Sequence, residues 1–249
     1  MLSFGYTMVP LLTFVFLWIA VYSGSAQKDT SMAGYSLPSM ITYYIIGSWV
    51  GELCSADRLI WGPNQDIKNG GISLLLARPM SIIAYYFSLD LAVAAPYSLI
   101  GVMLYAGFAL LFGLHVIFPD SLVMLLLFIM ACIMGYLLSS IIALLRASAA
   151  FWMQDSFGFD LLVDWGVLIF SGRLVPLAIF PTPLYELSRI MPFQYLVYFP
   201  SNIFINRIPI ADIQLTLLIE SLWLICLYIL LQLIWSRGLH RYGNLGGIE

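Results

Sequence analysis

Gly70 and Gly71 precede Ile72-Ser73-Leu74 in the most polar stretch of this chain. A phosphate-binding loop of the form GxxxxGK[ST] needs a lysine for the β- and γ-phosphates and a following hydroxyl for Mg²⁺. Neither stands here, so the chain lacks that device for hydrolysing ATP. No GxSxG elbow, HExxH pair or adjacent His and Cys arrangement occurs either, which removes the parts of the common hydrolases and zinc proteases. Cys54, Cys132 and Cys226 are far apart in apolar stretches, suiting neither a disulfide framework nor a zinc cluster. They read as small buried apolar residues. His115 and His240 have no second ligand nearby, and no metal site is expected.

The remaining candidates are ionisable groups inside or beside apolar runs: Glu52, Asp90, Asp160, Asp164, Arg173 and Glu220. A charge at the centre of a bilayer costs about 2.5–3.5 kcal/mol unless paired or wet. Each is therefore a candidate for a transport path, with a structural role at the interface as the rival reading. Asp160 and Asp164 are one helical turn apart and repel, which places them at an aqueous boundary or against a basic group. Asp90 and Glu220 are the possible deep acids.

The elements holding these groups follow from composition. Of 249 residues, 62% are hydrophobic and 9% charged, against about 25% charged in an ordinary soluble protein. Ten Lys and Arg and thirteen Asp and Glu cannot cover the surface of such a chain, so most of it must face lipid. The small net charge of −3 and the lack of a basic run give nucleic acid no electrostatic support. At ~20 residues per helical span, six spans and their loops use the whole chain. The expected fold is an all-α integral membrane protein, residues 1–249 forming one transmembrane domain with no soluble domain.

The first span is Met8 to Tyr22. A signal peptide ending near Ser25-Ala26 is the alternative, weakened by the lack of a basic residue ahead of the apolar run. The second, Thr30 to Gly51, carries Gly47 and Gly51 at the spacing that lets helices approach closely. A third runs from about Leu91 to Leu114, with a bend expected at Pro96. Ser121 to Leu145 is the fourth, bearing small residues at Ala131, Gly135, Ser139 and Ala143. Phe157 to Gly172 leaves room for a short fifth span. Six of the twelve prolines then fall between Pro176 and Pro209 in a segment that stays apolar. Irregular apolar backbone at membrane depth must pack on protein or line a cavity, so short re-entrant or interfacial helices are expected there. The sixth span is Ile213 to Trp235, followed by a short tail.

Basic residues set the orientation. Arg58, Lys68, Arg78, Arg146, Arg237 and Arg241 collect on one side, against Lys28, Arg173, Arg189 and Arg207 on the other, which puts both termini in the cytoplasm. The longest polar break, Ala56 to Ser81, then lies on the cytoplasmic side. It mixes charge with an apolar face, as a short helix docking on a partner or on the bilayer surface would. A surface of Ile72, Leu74 and Leu75 is expected to face that partner, and a plain solvated loop is the alternative.

The ordered set Asp66-Ile67-Lys68-Asn69-Gly70-Gly71-Ile72-Ser73, Leu76-Ala77-Arg78-Pro79, Ser171-Gly172-Arg173-Leu174-Val175-Pro176-Leu177, Phe180-Pro181, Met191-Pro192-Phe193-Gln194-Tyr195, Tyr198-Phe199-Pro200 and Arg241-Tyr242-Gly243-Asn244-Leu245-Gly246-Gly247 resembles the ABC-2 type transporter permeases, nearest the subgroup of uncharacterised ABC-2 membrane components. Each motif is short, and their shared order over nearly the whole chain carries the likeness. The resemblance implies a multi-pass permease subunit of a bacterial inner membrane, working as a homodimer or heterodimer with separate ABC ATPase subunits. ATP and Mg would be bound by those partners and no cofactor by this chain.

It further implies a coupling helix between spans two and three, with Asp66, Ile67, Lys68, Gly70, Gly71, Ile72, Leu75, Arg78 and Pro79 as the coupling residues, and re-entrant helices between spans five and six. Glu52, Asp90, Arg173, Glu220, Gly47, Gly51 and Gly135 are the candidates for a transport path or for helix packing. Family members usually open with an amphipathic basic helix ahead of span one; this sequence opens Met1-Leu2-Ser3-Phe4 instead. The expected function is export of a hydrophobic or amphipathic compound driven by ATP hydrolysis on another chain. A secondary transporter or channel without an ATPase is the alternative. That rival favours internal repeats and a chain of deep ionisable groups, and no repeat is found.

Overall fold

The computed structural model describes residues 2–24 and 31–244, with side chains for residues 8–24 and 31–242. Ser25, Ala26, Lys28 and Thr30, at which a cleavage site, an outer charge and the start of span two are expected, lie outside the described residues. So does the end of the tail motif, Leu245 to Gly247.

The regular structure of the described residues is all helical, with no strand beyond one isolated bridge between Met32 and Tyr35. Helix α1 is Leu2–Gly24 and α2 is Leu37–Leu53. The second helix starts later than the apolar run predicts, because Ser36 caps it through Ser39 N and Pro38 occupies its first turn. At 17 residues it is about 25 Å long. Helices α3, Arg58–Lys68, and α4, Ile72–Leu76, occupy the long polar break.

Helix α5 is Ile82–Leu111, 30 residues continuous through Pro96. The helix begins about nine residues ahead of the span start expected near Leu91. The first turns are held by the polar break itself: Ser81 caps the helix, and Asp90 faces α3. Helix α6 is Leu122–Ser148, with a 3₁₀ turn Ala149–Phe151 after it. Helix α7, Phe157–Phe170, has 14 residues, none of them buried. The proline-rich segment folds as short pieces: a 3₁₀ turn Leu177–Ile179, α8 Thr182–Ile190, a 3₁₀ turn Pro192–Leu196 and α9 Tyr198–Phe204.

Helix α10 is Ile210–Asn244 and continues well past the expected end at Trp235. That residue is buried against Phe151 and Tyr86, with its indole N–H donating to the Leu144 carbonyl, so the chain cannot leave the bundle there.

Three helices are long and apolar enough to cross a membrane, Ile82–Leu111, Leu122–Phe151 and Ile210–Tyr242. Their outward faces carry large apolar side chains such as Met103, Leu110, Leu111, Leu122 and Leu218, a coat suited to hydrocarbon rather than water. Cys226 belongs to this exposed set, which corrects the expectation that all three cysteines are buried. In lipid an outward Cys loses nothing by exposure, so apolar neighbours in sequence do not report burial.

Two apolar cores sit at opposite ends of the bundle. One joins α1, α2, the later half of α5, the first half of α6 and α9, around Tyr43, Tyr105, Leu138 and Ile203. The other joins α3, α4, the start of α5 and the last turns of α6 and α10, around Leu59, Ile72, Tyr86 and Trp235. The α3–α4 unit is called the platform below.

Candidate functional site

The platform is held to the bundle by a set of polar contacts. Arg58 on α3 donates to Asp90 Oδ1 on α5 at 2.9 Å, and the Tyr136 hydroxyl on α6 donates to Asp90 Oδ2 at 2.8 Å. The Asp90 side chain is fully buried while Arg58 is 46% exposed, so three helices close over one carboxylate. Asp66 accepts from the Tyr86 hydroxyl. Gly70, at φ +83°, makes the left-handed turn between α3 and α4. Ser73 Oγ and the Tyr242 hydroxyl, 3.0 Å apart, tie the end of α10 to this turn. A methyl group on Gly71 would lie 2.8 Å from Asp66 Oδ1, so the turn packs at backbone distance.

Ile67, Ile72 and Leu75 are buried in the platform's own core. This corrects the expected outward surface of Ile72, Leu74 and Leu75. Ile72 and Leu75 are three residues apart on one helical face, and that face turns inward; Leu74, between them, is 72% exposed. The exposed residues of the platform include Trp61, Leu74 and Leu76 with Gln65, Lys68, Arg78 and Pro79.

A second node fixes the start of α7. Arg146 at the end of α6 contacts Asp160 Oδ1 at 3.2 Å and Asp164 Oδ1 at 2.8 Å. Ser156 Oγ donates to Asp160 Oδ2, and Asn64 of α3 donates to Ser156. The repulsion between the two aspartates is thus answered from within the chain, by the guanidinium that ends the neighbouring helix.

The third constellation is the turn Ser171–Leu174 that follows α7. Gly172 sits at φ +80°, where a methyl group would lie 2.7 Å from the Tyr43 hydroxyl and 2.8 Å from Tyr198 Cβ. Tyr43 donates to the Gly172 carbonyl, Tyr44 to the Leu174 carbonyl, and Tyr198 N–H to the Ser171 carbonyl. Three backbone carbonyls are satisfied by groups from α2 and α9. The exposed Arg173 projects from it. Its Nε lies 3.5 Å from where a Cβ on Gly51 would sit, and Glu52 is within its electrostatic reach but outside ion-pair distance.

The small residues of α2 and α6 receive the proline-rich segment. A methyl group on Gly47 would meet Val197 Cγ1 at 3.2 Å, and one on Gly135 would meet the Tyr195 carbonyl oxygen at 2.9 Å. Ala131, Ser139 and Ala143 on the same α6 face are buried. Glu220 on α10 is fully buried, and neither carboxyl oxygen has a hydrogen-bond partner. It lies within electrostatic reach of Cys54, Cys132 and Tyr195.

The end of the bundle opposite the platform is stitched by loop contacts. Arg207 stacks over the Tyr35 ring at 3.5 Å and donates to the Ala33 carbonyl. Burial pushes the Tyr35 hydroxyl above the ordinary tyrosine range, against the pull of Arg207, so it stays a neutral donor to Asn202 Oδ1. Asn206 accepts from Asp120 N–H and donates to the Phe118 carbonyl.

Of the sequence candidates, Asp66, Ile67, Gly70, Gly71, Ile72 and Leu75 come together in the platform, whereas Lys68, Arg78 and Pro79 point outward. Glu52, Gly51 and Arg173 meet at the end of α2; Asp90 and Glu220 are in separate places. The partners that sequence reasoning missed are Arg58, Tyr86, Tyr136, Arg146 and Tyr242. Arg58 and Asp90 are 32 positions apart and Tyr136 and Asp90 are 46 apart, and neither pair has a local pattern that could reveal it. Among the described residues no group of three or more His, Cys, Asp or Glu is placed to hold a metal ion.

Comparison with curated proteins and with solved structures gives no match. Residues 8–246 match the family described as ABC-2 family transporter protein. The match takes in the platform, the Ser171–Leu174 turn and all three long apolar helices, and with it the chain is a multi-pass membrane protein and a member of the ABC-2 transporter family.

Proposed function

We propose that the chain is the permease subunit of an ATP-driven exporter in a bacterial inner membrane, carrying a hydrophobic or amphipathic compound. ATP and Mg belong to separate ABC ATPase subunits, and two permease protomers form the path. In this reading α1, α2, α5, α6, α7 and α10 are six spans of one domain with the termini and the platform in the cytoplasm. The segment from Leu177 to Phe204 dips into the outer leaflet, and α3–α4 is the coupling element. The observation that carries the reading is the attachment of the platform: Arg58, Asp66 and Ser73 each bond a residue of α5 or α10, so a push on α3–α4 moves those helices with it. Trp61 and Leu74, both exposed apolar side chains of the platform, are what a partner's groove could seat.

Replacing Trp61 and Leu74 together by Asp tests this. Both are exposed, so insertion and melting temperature should hold, while capture of the cognate ATPase and coupled ATP hydrolysis in vesicles should fall at least tenfold. Full complex formation and coupling by that variant would overturn the assignment of the coupling element. A carrier acting without an ATPase is favoured by one observation, the unpartnered Glu220. Substrate movement in vesicles containing this chain alone, lost in Glu220→Gln, would establish that alternative.

A further inference from the structure

Arg173 is the residue whose setting the fold does not explain. Three other arginines are committed, Arg58 to Asp90, Arg146 to Asp160 and Asp164, and Arg207 to Tyr35 and the Ala33 carbonyl, while Arg78, Arg189, Arg237 and Arg241 stand on exposed surface. The Arg173 guanidinium has no hydrogen bond or ion pair among the described residues, yet its backbone is fixed by Tyr43, Tyr44 and Tyr198 on a left-handed glycine. Such a turn stores backbone conformation that only glycine adopts readily, and here it aims one cation. In the permease reading α7, with 14 residues rising about 21 Å, is shorter than a ~30 Å hydrocarbon core, which moves Arg173 from the outer side expected of it to within that core. An unpaired charge at that depth marks a substrate path or a water-filled cavity.

Two cavities meet at this side chain. One, of about 360 Å³, has a mixed lining in which Ser139, Arg146, Asp164 and Ser171 supply polar groups. The other, of about 290 Å³, lies between α1, α2 and α7 against Leu11, Phe14, Tyr44 and Leu174 and is apolar. They share Leu168, Arg173 and Val197. Each is near the size of a small-ligand site. Asp164 in the first cavity is already held by Arg146; Asp57 lines the same cavity, and Glu52, at the end of α2, is within electrostatic reach of Arg173.

Resting on the permease reading, we propose that Arg173 is the head-group site of the transported compound, which is an amphiphile with an anionic phosphate or carboxylate head and an apolar tail. The head takes the free guanidinium fork, whose planar donors match such oxygens in pairs. The tail lies in the cavity beside Phe14 and Tyr44. Glu52 sets the affinity by competing with the head group.

The test is binding to the purified chain in nanodiscs without nucleotide or ATPase, using dodecyl phosphate, dodecyltrimethylammonium and inorganic phosphate as probes. Dodecyl phosphate should bind at least tenfold more tightly than the ammonium compound. Arg173→Gln should remove that preference, Arg173→Lys should keep part of it, and Glu52→Gln should strengthen it several-fold. Melting temperature checks that each variant is folded. Inorganic phosphate should compete only weakly; displacement of dodecyl phosphate by millimolar phosphate would mean a free-anion site and overturn the amphiphile. Equal binding of both dodecyl compounds, or a preference for the ammonium that Glu52→Gln abolishes, would overturn the anionic head group. Full ATPase capture by the Trp61 and Leu74 variant with head-group selectivity intact would sink the coupling assignment and leave this site standing; absence of selectivity in the unsubstituted chain, with capture lost in that variant, would sink this site alone.

Discussion

The platform and the Ser171–Leu174 turn both bring polar groups into an apolar body, and they do it in opposite ways. At the platform and at the node beside it, charge is answered by charge or by a tyrosine hydroxyl: Asp90 has Arg58 and Tyr136, Asp66 has Tyr86, and Arg146 at the end of α6 has two aspartates. At the turn, tyrosine hydroxyls are spent on backbone carbonyls, and the charged side chain is left open. The difference separates groups that hold helices together from groups held in place for something else. A buried carboxylate with both oxygens bonded is a joint; a cation on a rigid turn with no partner is a site.

The largest effect that would test the contrast lies in the platform core. Ile72 is fully buried beneath α4, and an aspartate there would place a charge in an apolar core with no partner, so Ile72→Asp should lose the folded platform and most of the membrane-inserted protein. The exposed Leu74→Asp should fold normally. Similar yields and melting curves for the two single variants would show that the platform has no inward face.

The Arg58–Asp90 joint comes next, and its two halves are unequal. Arg58→Ala leaves a fully buried carboxylate with only Tyr136 and should cost about 3–5 kcal/mol. Asp90→Ala leaves an arginine that is 46% exposed and can reach water, together with one orphaned tyrosine hydroxyl, so about 1–3 kcal/mol is expected. The double variant should recover part of the first loss. Chemical unfolding in detergent measures the three, and equal losses from the two single changes would show that the carboxylate is not sealed.

How much of this was legible in the sequence follows the range of each cause. Composition and apolar run length gave lipid as the surroundings, and proline density between Pro176 and Pro209 foretold short broken helices, because both are local properties. Helix ends were less legible: Ser36 and Pro38 moved the start of α2 inward, and the burial of Trp235 carried α10 beyond its apolar run. The inward face of α4 had a readable sign, Ile72 and Leu75 three apart, but nothing local says which face of a five-residue helix meets the protein. Which charges pair could not be read at all, since the partners are tens of residues apart. The tyrosines that close the platform and clamp the turn look in sequence like interfacial aromatics.

Gly172 offers a way to break the turn itself. Alanine there would adopt a backbone conformation costing about 1–3 kcal/mol, and its methyl group would press on the Tyr43 hydroxyl and on Tyr198. Gly172→Ala should therefore lower stability by about 2–4 kcal/mol, the added part coming from overpacking. Gly24, which ends α1 with nothing within 4 Å of its Cβ position and has no left-handed backbone, should accept alanine at little cost. Thermal unfolding in detergent compares them; an equal response would mean that the turn is not rigid.

The smallest expected effect is the sharpest test of the contrast, because it separates stability from aim. Tyr44→Phe removes one hydroxyl, leaving the Leu174 carbonyl without its 2.8 Å donor while keeping the ring stacked on Phe14 at 4.8 Å. Leu174 is half-buried, so some water can reach that carbonyl, and the loss should be about 1 kcal/mol. A joint would register that loss and nothing more. A positioned site should register more in binding than in stability, since the residue that follows Arg173 would be released from α2 while the fold stays intact. The preference for dodecyl phosphate over dodecyltrimethylammonium should fall several-fold in Tyr44→Phe with the melting temperature little changed. The platform counterpart, Tyr86→Phe, should lose stability through Asp66 and leave that preference untouched. If Tyr44→Phe lowers stability as far as Arg58→Ala and leaves head-group preference at its original value, the tyrosine is one more joint and the two regions do not differ in kind.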